Sequence, residues 1–347
     1  MTMADNKLNN ILSEASGSLM GYLSVSSGID ILVSKTKEAL SELKEVDTLL
    51  TQIAKENNRL SKADLEKIGN DAFDIASKYG KNAADYLNGF QEAARAGYQN
   101  AAEIAELSLA AQSAGDMSAE LASEFINAAN SAYELGGSAS KLTQILDGIC
   151  SISGRNSVTM SDLAEAMSAA GGQAEEFGIR AEETAAMLGT IISTAHQSST
   201  EAAEAFGDIL LLIRQVTDEG KGIDAGGLTQ YEKACRALNV SLKETKNGIT
   251  SLRDPMEIIQ DLSEAYSKLG ANDTRRTNLL DAAGSSANAE ALNAVLENYG
   301  LYEKMLSEYT QGAVPPLTGY TNFITRLQYP LKSRKKNCVK PKLSIKI

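Results

Sequence analysis

The 347 residues include no Trp, only 5% aromatic side chains, five prolines and 27 glycines, and with Ala and Ser frequent this describes an all-α chain of many short helices. The formal net charge of −12 hides an asymmetry: residues 313–347 hold eight Lys/Arg and no Asp/Glu, which leaves 25 basic against 45 acidic residues, −20, in residues 1–312. So acidic a body repels phosphate backbones and argues against direct nucleic-acid binding. The three cysteines, Cys150, Cys235 and Cys338, are far apart with no CxxC pair, which argues against a disulfide framework or a zinc site and for reduced thiols in a cytosolic compartment. No charged-then-apolar leader opens the chain, and the longest aliphatic run, residues 209–213, is far short of the roughly 18 residues of a membrane span.

Residues 1–28 are polar and interrupted by Gly17, Gly21 and Gly28, and are expected to be a loosely docked leader. From Ile29 a heptad begins, with Ile29, Thr36, Leu43 and Leu50 at one position and Leu32, Ala39, Val46, Ile53 and Leu60 at the other. A 3.5-residue apolar period over about four turns of the pattern predicts a long helix over 29–60 with a coiled-coil-like seam. The self-association seam expected from it comprises Ile29, Leu32, Ala39, Leu43, Val46, Leu50, Ile53 and Leu60, with Thr36 and Asn57 weakening it. The same pattern also suits a long amphipathic helix packed on its own chain.

Ser61 with Asp64 forms a capping box that opens a helix carrying Leu65, Ile68, Ala72, Ile75 and Tyr79, stopped by Gly80. Asn82 caps the next helix, with Ala83, Leu87, Phe90 and Ala94 inward until Gly97. Helices near 99–113, 118–135 and 138–151 follow. Residues 157–216 hold the densest pattern. A helix capped by Thr159 and Asp162 carries Leu163, Ala166, Met167 and Ala170 and is expected to end at Gly171-Gly172. A second helix follows Gly178, with Glu182 and Glu183 in its first turn and Leu188, Ile191, Ile192 and Ala195 on one face. Ser198 with Glu201 caps a third. Its stripe of Ala202, Ala205, Phe206, Ile209, Leu210, Ile213 and Val216, with Leu211 and Leu212 on the other side, predicts the central, most buried helix.

After Val216 the run TDEGKGIDAGGL is the best internal boundary, separating a core module over 61–216 from a C-terminal helical subdomain over 217–312. A helix near 228–238 leads to Asn247-Gly248 between short alternating segments, a β-hairpin signal. Asp254, Pro255 and Glu257 supply N-cap, N1 and N3 of the clearest helix start in the chain, whose buried face is Ile258, Ile259, Leu262, Tyr266 and Leu269. Two or three further helices fill 273–309. From about Ala313 acidic residues vanish and four of the five prolines appear, so 313–347 is expected to be a basic, unstructured tail, on the pattern of a truncated or out-of-frame end.

Reactive chemistry is thinly supplied. His196 is the single histidine, so a nucleophilic site would have to pair it with Ser193, Ser198 or Cys235, and no GxSxG elbow surrounds any of them. Glu175-Glu176 and Glu182-Glu183 are paired carboxylates that first turns of helices would explain without catalysis. Asp218, Glu219 and Asp224 lack EF-hand spacing, and GGSASKLT and GSSANAE lack the phosphate-cradling GxxxxGK[ST] spacing. No catalytic residue, cofactor or metal is expected, and no enzyme.

The run SDLAEAMSAAGGQAEEFGIRAEETAAMLGTI, followed by the Glu201-capped helix with its Leu/Ile cluster, resembles the helical core module of bacteriophage tail tape measure proteins; DIASKYGKNAADYLNGFQEAARAGY resembles it too. The likeness runs from about Leu65 to Thr310. It departs at Arg180, where the family pattern usually has Ser or another capping residue. The resemblance implies a structural phage tail protein of tape measure type, acting in tail assembly and length determination, in the virion tail and in the host cytoplasm during assembly. Implied partners are tail tube, tail tip and tail assembly chaperone proteins, and further copies of the chain. The other reading of the residues is a stand-alone helical interaction or effector protein whose heptad helix docks a partner's groove.

Overall fold

The computed structural model describes residues 28–57, 60–215 and 228–311, with side chains from residue 41 onward. Among the described residues there are fourteen α-helices and one two-stranded sheet, the all-α array that the composition predicts with the small hairpin that the Asn247-Gly248 pair predicts. The leader up to residue 27, the Gly-rich run at 216–227 and the basic tail lie outside the described residues. The chain divides into two compact units, one up to Gly69 and one from Asn70.

In the first unit α1 (Gly28–Glu56) runs for 29 residues, about 43 Å at 1.5 Å per residue. Val46, Leu49 and Ile53 are buried, a spacing of three and four that keeps one face of a 3.6-residue helix. The capping box that opens α2 (Lys62–Tyr79) forms as predicted: the Asp64 carboxylate accepts the Ser61 N–H at 2.8 Å, and Ser61 Oγ accepts the Asp64 N–H at 3.2 Å. Gly69 sits under Leu50, where an added Cβ would lie 3.0 Å from Leu50 Cδ1.

The second unit is built on helices that small residues bring close together. After α2 come α3 (Ala83–Arg95), α4 (Ala101–Gly115), α5 (Ala119–Ala132) and α6 (Ala139–Ser153). Then follow α7 (Met160–Glu176), α8 (Ala181–Ala195) and α9 (Ser199–Arg214). Gly89 on α3 lies 3.5 Å from the Ala105 backbone on α4 in the same Cβ sense, a close approach that a larger residue would widen.

The central helix is α8, which differs from the expectation for α9. From Thr184 to Ile191 every residue of α8 is buried, and the helix packs on α6, α7, α9 and the two C-terminal helices (Ser286–Glu297 and Tyr299–Gln311). A helix apolar all round is an interior helix. Its polar members return their hydroxyls to the backbone one turn back, Thr190 to the Ala186 oxygen at 2.8 Å and Thr184 to the Arg180 oxygen at 3.0 Å. α9 keeps Leu211 exposed at 39% and Leu212 half-buried, so among the described residues its second apolar stripe is only partly covered.

The expected helix stop at Gly171-Gly172 is also corrected: α7 continues to Glu176. A helical glycine costs about 1 kcal/mol, which is offset here by packing, since Gly171 lies against the Ala132 Cβ and the Tyr133 ring of α5. The true stop is Gly178, at φ +74°, with the Ile179 N–H bonded to the Ala174 oxygen at 3.0 Å and the Gly178 N–H to the Glu175 oxygen at 2.7 Å, a left-handed cap that only glycine takes without strain. Glu175 and Glu176 therefore end α7, where the dipole disfavours them, and do not open a helix.

Beyond residue 228 the elements are α10 (Gln230–Ala237), the strands β1 (Lys243–Lys246) and β2 (Ile249–Leu252), α11 (Pro255–Ser267), α12 (Thr274–Asp281), α13 (Ser286–Glu297) and α14 (Tyr299–Gln311). Asn247 at φ +53° and Gly248 at φ +79° make the two-residue turn, with both central residues left-handed as a type I′ hairpin requires. Asp254 caps α11 by accepting the Met256 N–H at 2.7 Å and the Glu257 N–H at 3.3 Å.

Candidate functional site

The sequence-predicted chemical residues are placed apart from one another. His196 is exposed and ends α8 with φ +55°. Ser193 is half-buried with an unpartnered hydroxyl, and Ser198 is occupied as the N-cap of α9, donating to Glu201 Oε2 at 2.8 Å. Cys235 is fully buried on α10, and burial pushes its thiol up to about 12. No hydrogen bond joins His196 to any of these among the described residues. Glu182 and Glu183 do open a helix, and both pair with Arg180, at 2.8 and 2.9 Å. Arginine has no acceptor, so α8 begins with half a capping box: Glu183 takes the Arg180 N–H at 3.0 Å. The Asp218, Glu219 and Asp224 loop lies outside the described residues, and among those described no group of three or more His, Cys, Asp or Glu is placed to hold a metal. An open cavity of about 420 Å³ between α10 and α12 is lined by Gln230, Lys233, Ala234, Arg275, Asn278 and Asp281. Arg275 is already committed to Asp273 at 2.6 Å.

The seam residues divide into three groups. Val46 and Ile53 are buried, Leu43, Leu50 and Leu60 are half-buried, and Ile29, Leu32 and Ala39 lie where side chains are outside the description. Leu49, which the heptad omits, joins the buried stripe. The adjacent pair Leu49-Leu50 is the sequence signal for a 3.6-residue stripe competing with a 3.5-residue one.

What the fold does assemble is a set of buried polar and small-residue contacts that hold α13 and α14 against α6, α8 and α9. Ser151 Oγ donates to the Glu308 backbone oxygen at 2.7 Å, and Asn156 Nδ2 donates to the Glu308 carboxylate at 2.6 Å. Gln197 Nε2 reaches the Ala287 oxygen at 2.8 Å, and Asn288 Nδ2 reaches Asp208 at 3.0 Å. The Met305 sulfur lies where a Gly189 side chain would be, 2.9 Å from its ideal Cβ, and the Tyr309 ring fills the same place over Gly148. Burial raises the Tyr302 and Tyr309 hydroxyl pKa values well above the ordinary tyrosine range. These positions carry no periodic signal, since Glu308, Ser151 and Asn156 look like surface residues in the sequence.

A family model described as "Phage-related minor tail protein" matches residues 69–284, more than half of the chain. The chain belongs to this phage-related minor tail protein family. It is therefore a structural component of the phage tail, and the virion tail is its location. No curated protein and no solved structure matches it. The matched family region ends at residue 284, yet its interior helix α8 is completed by α13 and α14, which lie beyond that limit. Among the described residues of this family member no helix is long and apolar enough to cross a membrane.

Proposed function

We propose that this tail protein is of the tape measure type: copies lie along the axis of the growing tail, tube subunits polymerise around them, and their length sets the length of the tail. The observation that carries the reading is the joining of a 29-residue helix to a folded module whose buried surfaces are used for packing. A helix is the natural ruler, because each residue adds a fixed 1.5 Å. The module from Asn70 onward folds back on itself, so it would anchor the ruler while extended helix such as α1 supplies the measured length. The seam from Ile29 to Leu60, carried by α1 as far as Glu56 with Leu60 beyond the helix end, would bring copies together, and tail tube, tail tip and assembly chaperone proteins would be the partners, met first in the host cytoplasm.

The test is a phage carrying in-frame insertions. Two added copies of the α1 coding sequence, 29 residues each, should lengthen tails by roughly 90 Å at 1.5 Å per residue, read by negative-stain electron microscopy. Tails of unchanged length would overturn the length-determining role. On the isolated protein, Leu43→Asp with Leu50→Asp should lower the sedimenting mass, and identical masses would remove the seam.

A further inference from the structure

The β-hairpin stands apart from the helices. β1 and β2 chiefly contact each other, and Thr245, Lys246, Ile249, Thr250 and Ser251 are all exposed, Ile249 at 71%. Its base is fixed. Leu242 is buried, the Arg253 N–H returns to the Leu242 oxygen at 3.0 Å, and the Arg253 guanidinium holds Asp261 at 2.8 Å. A two-stranded ribbon with both faces in water is marginal alone, and an unpaired edge invites another strand.

The two edges differ in chemistry. β1 reads Lys-Glu-Thr-Lys, and its charges blunt that edge; β2 reads Ile-Thr-Ser-Leu, with no charge and no proline. The register pairs Lys246 with Ile249 and Thr245 with Thr250. In a two-residue hairpin the pair flanking the turn is hydrogen-bonded, so the next pair turns its backbone groups outward. The 3.0 Å contact between the Thr245 and Thr250 hydroxyls fits that alternation, because side chains approach more closely in a non-hydrogen-bonded pair. Thr250 thus presents its N–H and C=O at the uncharged edge, and no turn, loop or cap hydrogen bond takes them among the described residues.

We propose that the outer edge of β2 pairs antiparallel with the same edge of a second copy of this chain, Thr250 opposite Thr250, to form a four-stranded sheet β1-β2-β2-β1 across a twofold axis. Charge selects this occupant. Pairing through β2 keeps Lys243 and Lys246 of each copy on the outside, away from one another, and leaves the blunted β1 edges as the new margins, which stops growth at two copies. Placing Thr250 opposite itself sets Ile249 beside Ser251 of the other copy on one face. A four-residue edge buries far less than the roughly 1,200 Å² of a stable interface, so the contact is weak in dilute solution and gains strength where copies already lie side by side. It is separate from any association through α1.

The test is site-directed cross-linking of the full chain in a Cys338→Ser background. Directly opposed residues of a hydrogen-bonded pair sit about 5.5 Å apart at Cα, within disulfide reach. Thr250→Cys should therefore yield a covalent species of doubled mass on mild oxidation, while Thr245→Cys, on the charged edge, should remain single. Thr250→Pro removes the outward donor without breaking the internal ladder, and in a chain that also carries Leu43→Asp and Leu50→Asp, so that α1 adds no association of its own, the sedimenting mass at high protein concentration should fall to that of one chain. Equal cross-linking at Thr245 and Thr250, cross-linking at neither, or an unchanged mass for Thr250→Pro would overturn the proposal. The cysteine variants report on pairing even if the proline variant misfolds.

Discussion

The ring of Tyr309 occupies the space that a side chain at Gly148 would fill, so α14 lies on α6 with aromatic carbon against bare backbone. That contact is flanked by the Ser151 hydroxyl bonded to the Glu308 oxygen at 2.7 Å. A glycine inside a helix costs about 1 kcal/mol relative to alanine, and here the loss is compensated by the depth at which α14 docks. Gly148→Ala should therefore destabilise the protein by about 1–3 kcal/mol through overpacking, despite the gain in helix propensity. Gly172→Ala, also inside a helix and with nothing within 4 Å of its ideal Cβ, should stabilise it by about 0.5–1 kcal/mol. Urea denaturation of the two variants beside the parent checks the opposite signs, and equal shifts would refute the packing account.

The helices α13 and α14 lie past residue 284, where the family match ends, yet Leu292, Val295, Tyr302 and Met305 are buried. A chain ended after Gly284 would uncover the surfaces of α6 and α8 that these helices cover, including Gly148 under the Tyr309 ring and Gly189 and Thr190 under the Met305 sulfur. We expect it to bind the dye ANS and to lose the cooperative thermal transition of the full chain, as packing-deficient compact states do. A sharp transition at the same temperature would show that the family region folds without them.

Local signals were legible, and tertiary ones were not. The caps at Ser61, Thr159, Ser198 and Asp254, and the Asn247-Gly248 turn, involve residues at most a few positions apart, so their hydrogen bonds are written in the sequence. Gly171-Gly172 looked like a stop because glycine often is one, but the approach of Ala132 and Tyr133 holds the helix there. The same holds for α9. Its two apolar stripes suggested full burial, and only the placement of its neighbours decides that Leu211 stays exposed while α8 takes the interior. Glu308 and Asn156 were invisible because their partners lie about 150 residues away in the chain.

Four acidic residues that begin helices should set the acid stability of the fold. The Asp273 carboxylate is held by the Arg275 side chain and N–H and lowered to about 2. Asp64 and Glu201 are lowered by hydrogen bonds from Ser61 and Ser198. Burial opposes ionisation of Glu183, and the bonds from Arg180 outweigh it to lower its pKa as well. In the unfolded chain these groups return to about 3.9 for Asp and 4.3 for Glu, so the unfolded state binds more protons as pH drops. Their contribution is complete above about pH 5 and is lost as pH falls through the folded values toward about 2. The melting temperature should decline over that window and Arg275→Ala should flatten part of the decline, whereas a melting temperature constant from pH 5 to 2 would contradict the assignment.

Cys235 separates a packing role from a catalytic one. A nucleophilic thiol needs its thiolate accessible at neutral pH, but this one is fully buried on α10, with burial as the main cause of a pKa near 12 and the adjacent Glu232 carboxylate adding to it. The Tyr231 hydroxyl beside it acts in the opposite direction and does not compensate. At pH 8 the thiolate is a minute fraction, so a thiol-specific reagent should reach Cys235 only when the helix opens. In the Cys338→Ser chain, labelling at Cys235, located by peptide mass spectrometry to distinguish it from the buried Cys150, should be slow in native buffer. It should accelerate with sub-denaturing urea in step with unfolding. Fast labelling in native buffer, abolished by His196→Ala, would revive a Cys-His centre and overturn the reading of these helices as packing elements.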